Sequence, residues 1–182
     1  ARIISYADDF VILSQGHAAE ALAWTRWAMG RIGLTLNETK TCIRDARKDS
    51  FDFLGYTFGI EHYRKDGHTY LAAKPSKKSV QRVKASVRAT LRPGNKGSWP
   101  EVRAKLNRGL QGWANYFGYG TRTLAYRAVD NYVYQRVRHF LCQRHKVPTR
   151  GTRRFSDEQV FGKLGVLRLR RLHLGPSPCA SA

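Results

Sequence analysis

An amphipathic helix is encoded by residues 98–117, SWPEVRAKLNRGLQGWANYF. Ser98 and Glu101 occupy the two positions of a capping box, and Pro100 falls in the first turn, where a helix tolerates proline. The large apolar residues then recur every three or four positions, which places them on one helical face. They are Trp99, Val102, Leu106, Leu110, Trp113 and Phe117. The stretch therefore predicts a helix that packs one face into a core.

Two further long helices are predicted on either side of this one. The preceding helix is indicated by Val80, Val83, Val87 and Leu91, and a loop containing Pro93 and Gly94 follows it. A helix is expected over residues 123–144 and a short one over residues 156–164, with Ser156 as its cap. The side chains expected to face inward from the long helix are Ala125, Val129, Tyr132, Val133, Val137, Phe140 and Leu141.

Residues 1–73 carry a different pattern. The apolar runs 3–6 and 10–13 flank a tight turn, and a helix is expected from about residue 17 to residue 32. Strands are expected at residues 41–43 and within 51–60, and a hairpin is expected with its turn at Lys65-Asp66-Gly67. The predicted fold class is α+β, with strands and one helix in residues 1–73, a helical bundle in residues 74–174 and a disordered tail over residues 175–182.

Net charge divides the chain at the same place. The first 73 residues hold nine basic and nine acidic side chains, whereas the rest hold 24 of the 33 Lys and Arg and four of the 13 Asp and Glu. The whole formal charge of +20 therefore belongs to the second part. Such an excess indicates a polyanionic partner. Nucleic acid is favoured over an anionic membrane or an acidic protein, because no separate amphipathic interfacial helix stands out.

Other classes of protein are disfavoured by what the sequence lacks. It has no run of about 18 apolar residues that could span a membrane, and no secretory signal opens it. Cys42, Cys142 and Cys179 lie far apart, so a disulfide framework or a cysteine-built zinc site is not expected, and a reducing compartment fits. The chain starts without Met inside a predicted strand, which is expected of a fragment or a processed piece.

Tyr6-Ala7-Asp8-Asp9 is the motif with the clearest chemistry. Two adjacent carboxylates at a predicted hairpin tip repel each other unless a cation offsets the repulsion. Mg²⁺ takes oxygen ligands, and two-metal phosphoryl transfer uses carboxylates to hold both ions. Asp also favours turns, so Asp-Asp alone is ordinary turn sequence. The apolar strands on both sides favour a catalytic interpretation, with Asp8 and Asp9 as metal ligands.

This motif resembles the Tyr-x-Asp-Asp motif of reverse transcriptases, and other blocks follow in the family's order. GLTLNETKT at residues 33–41 resembles the next reverse-transcriptase block, and FLGYTF at residues 53–58 resembles the primer-grip hairpin. GWANYF at residues 112–117 and GTRRF at residues 151–155 resemble the maturase-specific thumb, or domain X, of group II intron proteins. The resemblance runs from about residue 2 to residue 174. It implies the rear of a reverse-transcriptase palm followed by a thumb/maturase bundle.

The resemblance also implies roles for individual residues. Asp8 and Asp9 would be the catalytic carboxylates and ligands of Mg²⁺, and Lys40 would help protonate the leaving pyrophosphate, although a solvated lysine is an equal alternative. The residues expected beneath the nucleotide and along the primer are Tyr6, Ala7, Phe53, Leu54, Gly55 and Tyr56, although Phe51, Phe53 and Tyr56 could equally be ordinary strand core. The family's site uses a further Asp from an upstream strand, and only seven residues precede Asp8 in this sequence. The site expected here is therefore a partial one.

The basic residues of the second part are expected to bind RNA, since guanidinium groups can form forked hydrogen bonds to phosphate. Those assigned to the RNA-binding surface are Lys74, Lys77, Lys78, Arg82, Arg122, Arg127, Arg136, Arg138, Arg153 and Arg154. Trp113, Tyr116 and Phe117 could stack on bases, but their spacing favours burial in the core. His139, Cys142 and His145 drift around one helix and predict no metal site.

The expected partners are structured group II intron RNA and an RNA template–DNA primer duplex, with no membrane. A separate fingers and palm portion is a further expected partner, and a homodimer is an open alternative. The intact family protein copies RNA into DNA and assists splicing of its intron, so this sequence is expected to bind RNA without polymerising on its own. A stand-alone splicing cofactor and an inactive retroelement remnant remain as alternatives. The expected location is a bacterial-type cytoplasm, in association with nucleic acid.

Overall fold

The computed structural model describes residues 1–63 and 66–172 and confirms the predicted α+β class. Two separate antiparallel sheets, one of two strands and one of three, precede the long helices of the second part. The strands are β1 Arg2–Tyr6, β2 Asp9–Leu13, β3 Phe51–Phe53, β4 Tyr56–His62 and β5 Thr69–Pro75. The α-helices are α1 Ala18–Arg31, α2 Lys77–Thr90, α3 Trp99–Tyr116 and α4 Thr123–Arg144, followed by a π-helix at Gln159–Lys163 and a 3₁₀-helix at Leu169–Arg171.

The first helix predicted from the sequence, α3, begins where the capping box places it. The Ser98 backbone N–H donates to Oε2 of Glu101 over 2.9 Å, and this bond lowers the pKa of the Glu101 carboxyl. α2 is capped in a similar way, because Oγ of Ser76 accepts from the Ser79 N–H at 3.2 Å. Each cap satisfies a donor at the helix start that has no partner within the helix.

The hydrophobic core lies within the helical part. Its buried side chains run from Val83 on α2 to Leu169 in the 3₁₀-helix, and Val129 and Val137 of α4 are completely enclosed. Each such aliphatic side chain contributes roughly 1.5–3 kcal/mol through removal from water. Helices α2, α3 and α4 therefore form a bundle whose stability comes from their shared apolar faces.

A polar clamp fastens the last described segment to this bundle. Asp130 of α4 is 1% exposed, and its carboxylate accepts from the Leu169 N–H at 2.8 Å and from the Arg170 N–H at 3.2 Å. Asn107 of α3 acts in parallel, because its Oδ1 accepts from the Leu167 N–H at 2.9 Å. The segment after Lys163 thus packs across α3 and α4, and side chains of these two helices hold it by hydrogen bonds to its backbone.

The three-stranded sheet is built from two hairpins. Phe53 pairs with Tyr56 across the two-residue turn Leu54-Gly55, whose φ angles of 49° and 78° suit a tight hairpin. β4 then pairs with β5 from Tyr56 opposite Pro75 to His62 opposite Thr69. Both predicted hairpins of this region are confirmed. Residue 65 of the predicted second turn lies outside the described residues.

Several details differ from the sequence-based expectations. Residues 41–43 are not a strand, because Asn37 folds the chain into a turn in which its carbonyl accepts from the Thr41 N–H at 2.9 Å. The short helix predicted over residues 156–164 is mostly π-helical, and the later 3₁₀-helix was not predicted. Tyr126 and Asp130 of α4 are buried although neither was expected to face inward.

The first 50 residues contribute little to the core. All five residues of β1 are exposed, and Thr25 alone is buried among the residues of α1, all of which the structure describes. Arg26 of α1 forms a forked ion pair with Glu38, at 2.9 and 2.7 Å, which ties the helix to the turn that follows. Over residues 1–63 and 66–172, no helix is long and apolar enough to cross a membrane. The tail predicted at residues 175–182 lies outside the described residues.

Candidate nucleic-acid interface

The hairpin of β1 and β2 presents the two adjacent carboxylates at its tip. Tyr6 pairs with Asp9, so Ala7 and Asp8 form the two-residue turn, and both Asp side chains belong to exposed residues. Ala7 has a φ of 53°, in the left-handed region that favours glycine. Such strain costs of the order of 1–3 kcal/mol and concentrates at functional sites. The tip therefore combines charge repulsion with backbone strain at the residues of the predicted motif.

These carboxylates fit part of a magnesium site. Mg²⁺ is commonly held by one or two protein carboxylates with water completing its shell, so Asp8 and Asp9 supply suitable donors. Within the described ranges, however, no group of three or more His, Cys, Asp or Glu side chains is placed to hold a metal. Two-metal chemistry needs more ligands than this pair provides. The roles of Asp8 and Asp9 stay predictions.

Lys40 lies in a separate turn. Its backbone N–H donates to the Asn37 carbonyl over 3.0 Å and its residue is exposed. Among the ion pairs of the described residues, none joins Lys40 to Asp8 or Asp9. Its catalytic role therefore stays a prediction, beside the alternative of a solvated lysine.

The Leu54-Gly55 turn docks on the helical bundle. The Gly55 carbonyl accepts from the Ser76 N–H at 2.9 Å and from Oγ of Ser79 at 2.8 Å. A Cβ on Gly55 would lie 2.9 Å from Oγ of Ser79 and 3.2 Å from Cζ of Phe117, so both the close approach and the positive φ require glycine. Gly55, one of the residues predicted along the primer, thus connects the three-stranded sheet to the bundle.

Tyr56 and Tyr116 connect the three-stranded sheet and the bundle through two hydrogen bonds. The Tyr56 hydroxyl donates to the Tyr116 carbonyl over 2.7 Å, and the Tyr116 hydroxyl donates to the Leu54 carbonyl over 2.8 Å. The Tyr56 ring also lies 4.9 Å from that of Phe117. Burial raises the pKa of Tyr56, and the neighbouring Tyr116 and Tyr119 phenols add to the effect.

The expectation that the three aromatic residues of GWANYF are core residues is met unevenly. Phe117 is buried, and Trp113 is half-buried with its ring 5.0 Å from that of Phe117. Tyr116 is 54% exposed, so its assignment to the core is wrong. The reason is angular: Tyr116 lies about 100° around the helix from Phe117, at the edge of the apolar face.

The basic residues at the start of the bundle face solvent. Lys77, Lys78 and Arg82 belong to α2 and are exposed. Lys74, on β5, is exposed too, and its Nζ lies 2.5 Å from Oε1 of Glu61. The structure thus brings these four predicted RNA-binding residues onto one strand end and the first turns of the following helix.

Most of the predicted RNA-binding residues at the start of α4 and along it are less exposed than those of α2. Arg127 is exposed, whereas Arg122, Arg136 and Arg138 are half-buried. The Arg138 guanidinium lies 5.1 Å from the centre of the Tyr134 ring, and that of Arg122 lies 5.9 Å from the centre of the Tyr126 ring. Nη1 of Arg122 also donates to the Gly118 carbonyl, and Nη1 of Arg138 donates to the Tyr134 hydroxyl over 3.5 Å, so these guanidinium groups are positioned by the protein itself.

Arg153 and Arg154 lie on a turn with two fixed ends. Gly151 packs so closely that a Cβ there would lie 2.1 Å from Sγ of Cys142, and Phe155 is buried beside it. The Phe155 N–H donates to the Gly151 carbonyl over 2.8 Å and closes the turn. Both arginines are exposed between these anchors. The structure therefore presents the two cations together.

The few carboxylates of the helical part are already engaged. Asp130 meets Nε of Arg170 at 3.2 Å, and Asp157 pairs with Arg168. Glu101 is occupied by the N terminus of α3. Glu158 is the one remaining acid beyond residue 73, so the surface charge of the 24 Lys and Arg residues is scarcely offset. The charge imbalance was predicted from the sequence, whereas nothing in the sequence indicated that Asp130 would be buried.

Comparison with known protein families finds a match within the helical part. Residues 80–156 match the family model described as "Group II intron, maturase-specific domain". The matched segment covers most of α2, all of α3 and α4, and the Arg153-Arg154 turn. No curated protein matches the chain.

Proposed function

We propose that this protein acts in group II intron splicing by binding structured intron RNA, and the match of residues 80–156 to the maturase-specific domain supports this role. In this proposal the protein supplies no chemistry to splicing. It neutralises phosphates on RNA segments that must approach each other. The binding surface is the basic face of α2, the arginines of α4 and the Arg153-Arg154 turn.

The observation that carries this proposal is the unbalanced charge of a folded domain. Three of the four carboxylates beyond residue 73 are occupied by partners within the protein, as described above. A surface that served only solubility would intersperse both signs. Arginine is also the side chain best suited to phosphate, since its planar group donates two parallel hydrogen bonds.

A salt titration of RNA binding tests the proposal. If about six phosphates are neutralised, the logarithm of the binding constant should fall with the logarithm of salt concentration at a slope of about −4 to −5. Replacing Arg153 and Arg154 together by Ala should weaken binding by about 1–3 kcal/mol and flatten the slope by about one to two units. The probe is a structured group II intron RNA.

The matched control is the double variant Arg44→Ala/Arg47→Ala. Both residues are exposed and belong to the part of the chain with no net charge, so affinity and slope should stay at the wild-type values. An Arg153/Arg154 variant that bound like the wild type would remove this turn from the interface. Equal weakening by the control would show that charge anywhere on the protein suffices, and would contradict a localised surface.

A second candidate function is supported by the strained carboxylate hairpin. We propose that residues 1–73 are the rear of a reverse-transcriptase palm, in which Asp8 and Asp9 would hold Mg²⁺ against an RNA template–DNA primer duplex. The support is the left-handed Ala7 beside two exposed carboxylates, followed by the Leu54-Gly55 hairpin. Magnesium, when bound, would stabilise charge developing on the transferred phosphoryl group.

Primer extension on an RNA template with Mg²⁺ tests this second candidate. We expect no extension by the chain alone, because two carboxylates are fewer ligands than two-metal catalysis requires. Addition of separately expressed fingers and palm segments of a group II intron reverse transcriptase should restore extension, and Asp8→Ala should abolish the restored activity. Restored extension that survived Asp8→Ala would exclude Asp8 from the site.

A further inference from the structure

Two exposed tyrosines lie where the sheet meets the bundle. Tyr116 ends α3 with 54% of its surface exposed, and Tyr119 follows three residues later with 55% exposed. The neighbouring aromatic residues of the junction, Tyr56 and Phe117, are covered to a much greater degree. Each exposed ring leaves a large apolar surface in water, which is unfavourable unless something covers it.

The Tyr116 ring is held rigidly although it is exposed. Its hydroxyl donates to the Leu54 carbonyl over 2.8 Å, and its own carbonyl accepts from the Tyr56 hydroxyl over 2.7 Å. The Phe117 ring meets it edge to face, with centroids 4.7 Å apart and planes at 73°. A ring fixed in this way loses little conformational entropy when another flat group stacks on it.

The junction links this ring to the basic start of α2. The turn that accepts the Tyr116 hydrogen bond also bonds to Ser76 and Ser79 at the start of α2, where Lys77 and Lys78 are exposed. Trp24 and Trp27 of α1 are each 59% exposed as well, and the Arg31 guanidinium lies 5.3 Å from the centre of the Trp27 ring, but this part of the chain carries no net charge. Exposed aromatic surface beside cations is the combination that proteins use for single-stranded nucleic acid, in which bases stack and phosphates meet the charges.

We propose that Tyr116, together with Tyr119, is a stacking platform for unpaired bases of the RNA that the basic surface binds. This inference rests on the RNA-binding function proposed above and adds the structural class that is recognised, namely a single-stranded segment beside a duplex. Lys77 and Lys78 would meet the phosphates of that segment. Stacking on a tyrosine face tolerates any base, so the site selects unpaired RNA without reading its sequence.

The test compares two RNA hairpins in binding assays with the complete chain. Both have a stem of about 12 base pairs and a single-stranded 3′ tail of about six nucleotides, and the tail of one lacks its bases. The phosphates are the same, so any difference in affinity reports contacts to the bases. We expect the tail with bases to bind about five- to tenfold more tightly than the abasic tail.

Two substitutions at one position separate the ring from its hydroxyl. Tyr116→Leu should abolish the preference for the tail with bases, whereas Tyr116→Phe should keep it, because the ring remains. Trp24→Leu is the matched control, because Trp24 has a similar exposure but lies in the part of the chain without net charge. It should keep the full preference. Tyr119→Leu leaves the bonds of Tyr116 intact and should reduce the preference about twofold, which provides a variant that does not disturb the junction.

The outcomes distinguish this inference from the function on which it rests. Salt-dependent binding of both hairpins without any preference for bases overturns the platform and leaves RNA binding intact. If neither hairpin shows salt-dependent binding, both proposals are overturned. A preference retained in both Tyr116→Leu and Tyr119→Leu excludes the two rings. Loss of the preference in Tyr116→Phe would show that the hydrogen bond to Leu54 matters instead of the ring, and would also overturn the platform.

Discussion

The elements β1, β2 and α1 are regular, as are the helices of the bundle, but they bury far fewer of their side chains. β1 and β2 pair over five residues each, yet every side chain of β1 belongs to an exposed residue. In the bundle, Val129, Val137 and Leu169 have no exposed surface. Local hydrogen bonding is thus satisfied in both regions, whereas tertiary burial is concentrated in one. Among the residues of β1, β2 and α1, all of which the structure describes, Thr25 alone is buried, so little holds these elements against fraying.

The three-stranded sheet complicates this division in an informative way. By charge it belongs with the neutral first 73 residues, but by packing it belongs with the bundle, through Gly55, Tyr56 and Ala73. The Ala73 carbonyl accepts from the Thr121 N–H at 2.8 Å, and a Cβ on Gly120 would lie 2.1 Å from the same carbonyl oxygen. Charge and packing therefore change at different points along the chain, and the domain boundary at residue 74 stays a prediction.

Amide hydrogen exchange should show the largest difference between the two regions. We expect amides of α3 and α4 to exchange at least about a hundredfold more slowly than those of β1 and β2, because only the former open with the whole core. The measurement is exchange of the intact chain, resolved by peptide or by residue. The sheet of β3, β4 and β5 should fall between the two, since one end of it is docked on the bundle.

Equal protection of β1 and the bundle would break the comparison. Such a result would mean that the apolar faces of the hairpin and of α1 are covered in solution, as in the homodimer that the sequence leaves open. Sedimentation of the same sample would then be expected to show a dimer. A monomer with equal protection would contradict both the comparison and that explanation.

The helices were predictable because their signals are local. Ser98, Pro100 and Glu101 define the start of α3 within four residues, and the observed helix begins at Trp99. The predicted strand at residues 41–43 failed for an equally local reason that its apolar pattern concealed. Thr41 donates from both its N–H and its hydroxyl to the Asn37 carbonyl, and this turn removes the residue from any ladder.

The features that the sequence concealed depend on distant segments. Asp130 reads as an ordinary polar residue of a helix, and only the return of the chain 39 residues later makes it a buried acceptor. Tyr116 resembled its buried neighbours, and its exposure follows from where α3 ends and where the Leu54 turn docks. The burial of Asp130 leaves no trace in spacing or composition, whereas the exposure of Tyr116 agrees with its position at the edge of the apolar face of α3. The metal-binding role of Asp8 and the partial nature of its site were both inferred from the sequence, and both stay predictions.

The second prediction concerns the polar clamp, and it sharpens the comparison by weakening only the bundle. Asp130→Asn leaves a side chain of the same size but removes the charge that faces Arg170 and supports two backbone donors. We expect a loss of about 2–3 kcal/mol in the free energy of unfolding, since the group is buried and its partners are only partly reachable by water. Denaturant unfolding followed by circular dichroism measures it.

Asp157→Asn is the control for that variant. Asp157 also pairs with an arginine, Arg168, whose side chain is 15% exposed, but 58% of the Asp157 side chain is in solvent, so water can take over part of the lost interaction. We expect less than about 1 kcal/mol for this change. If the two variants proved equally stable, docking of the segment after Lys163 would not depend on Asp130.

The third prediction has the smallest effect and rests on Tyr126. Its hydroxyl donates within the bundle to the Ala114 carbonyl at 3.0 Å and to the Phe117 carbonyl at 3.2 Å, and burial raises its pKa to about 12. Tyr126→Phe should lower the free energy of unfolding by about 1 kcal/mol at neutral pH, where the phenol is protonated in both states. Because the unfolded phenol ionises near pH 10, the advantage of the wild type is complete below that pH. It should then shrink as the pH rises toward about 12, since ionisation favours the unfolded chain. Tyr6→Phe is the control for Tyr126→Phe, because it removes a hydroxyl from the exposed hairpin, where 66% of Tyr6 is in solvent. It should leave the free energy of unfolding unchanged across the same pH range. Unfolding curves of the three proteins between pH 7 and the alkaline limit make the comparison. A constant difference between the wild type and Tyr126→Phe up to that limit would show that the phenol is not enclosed in the bundle.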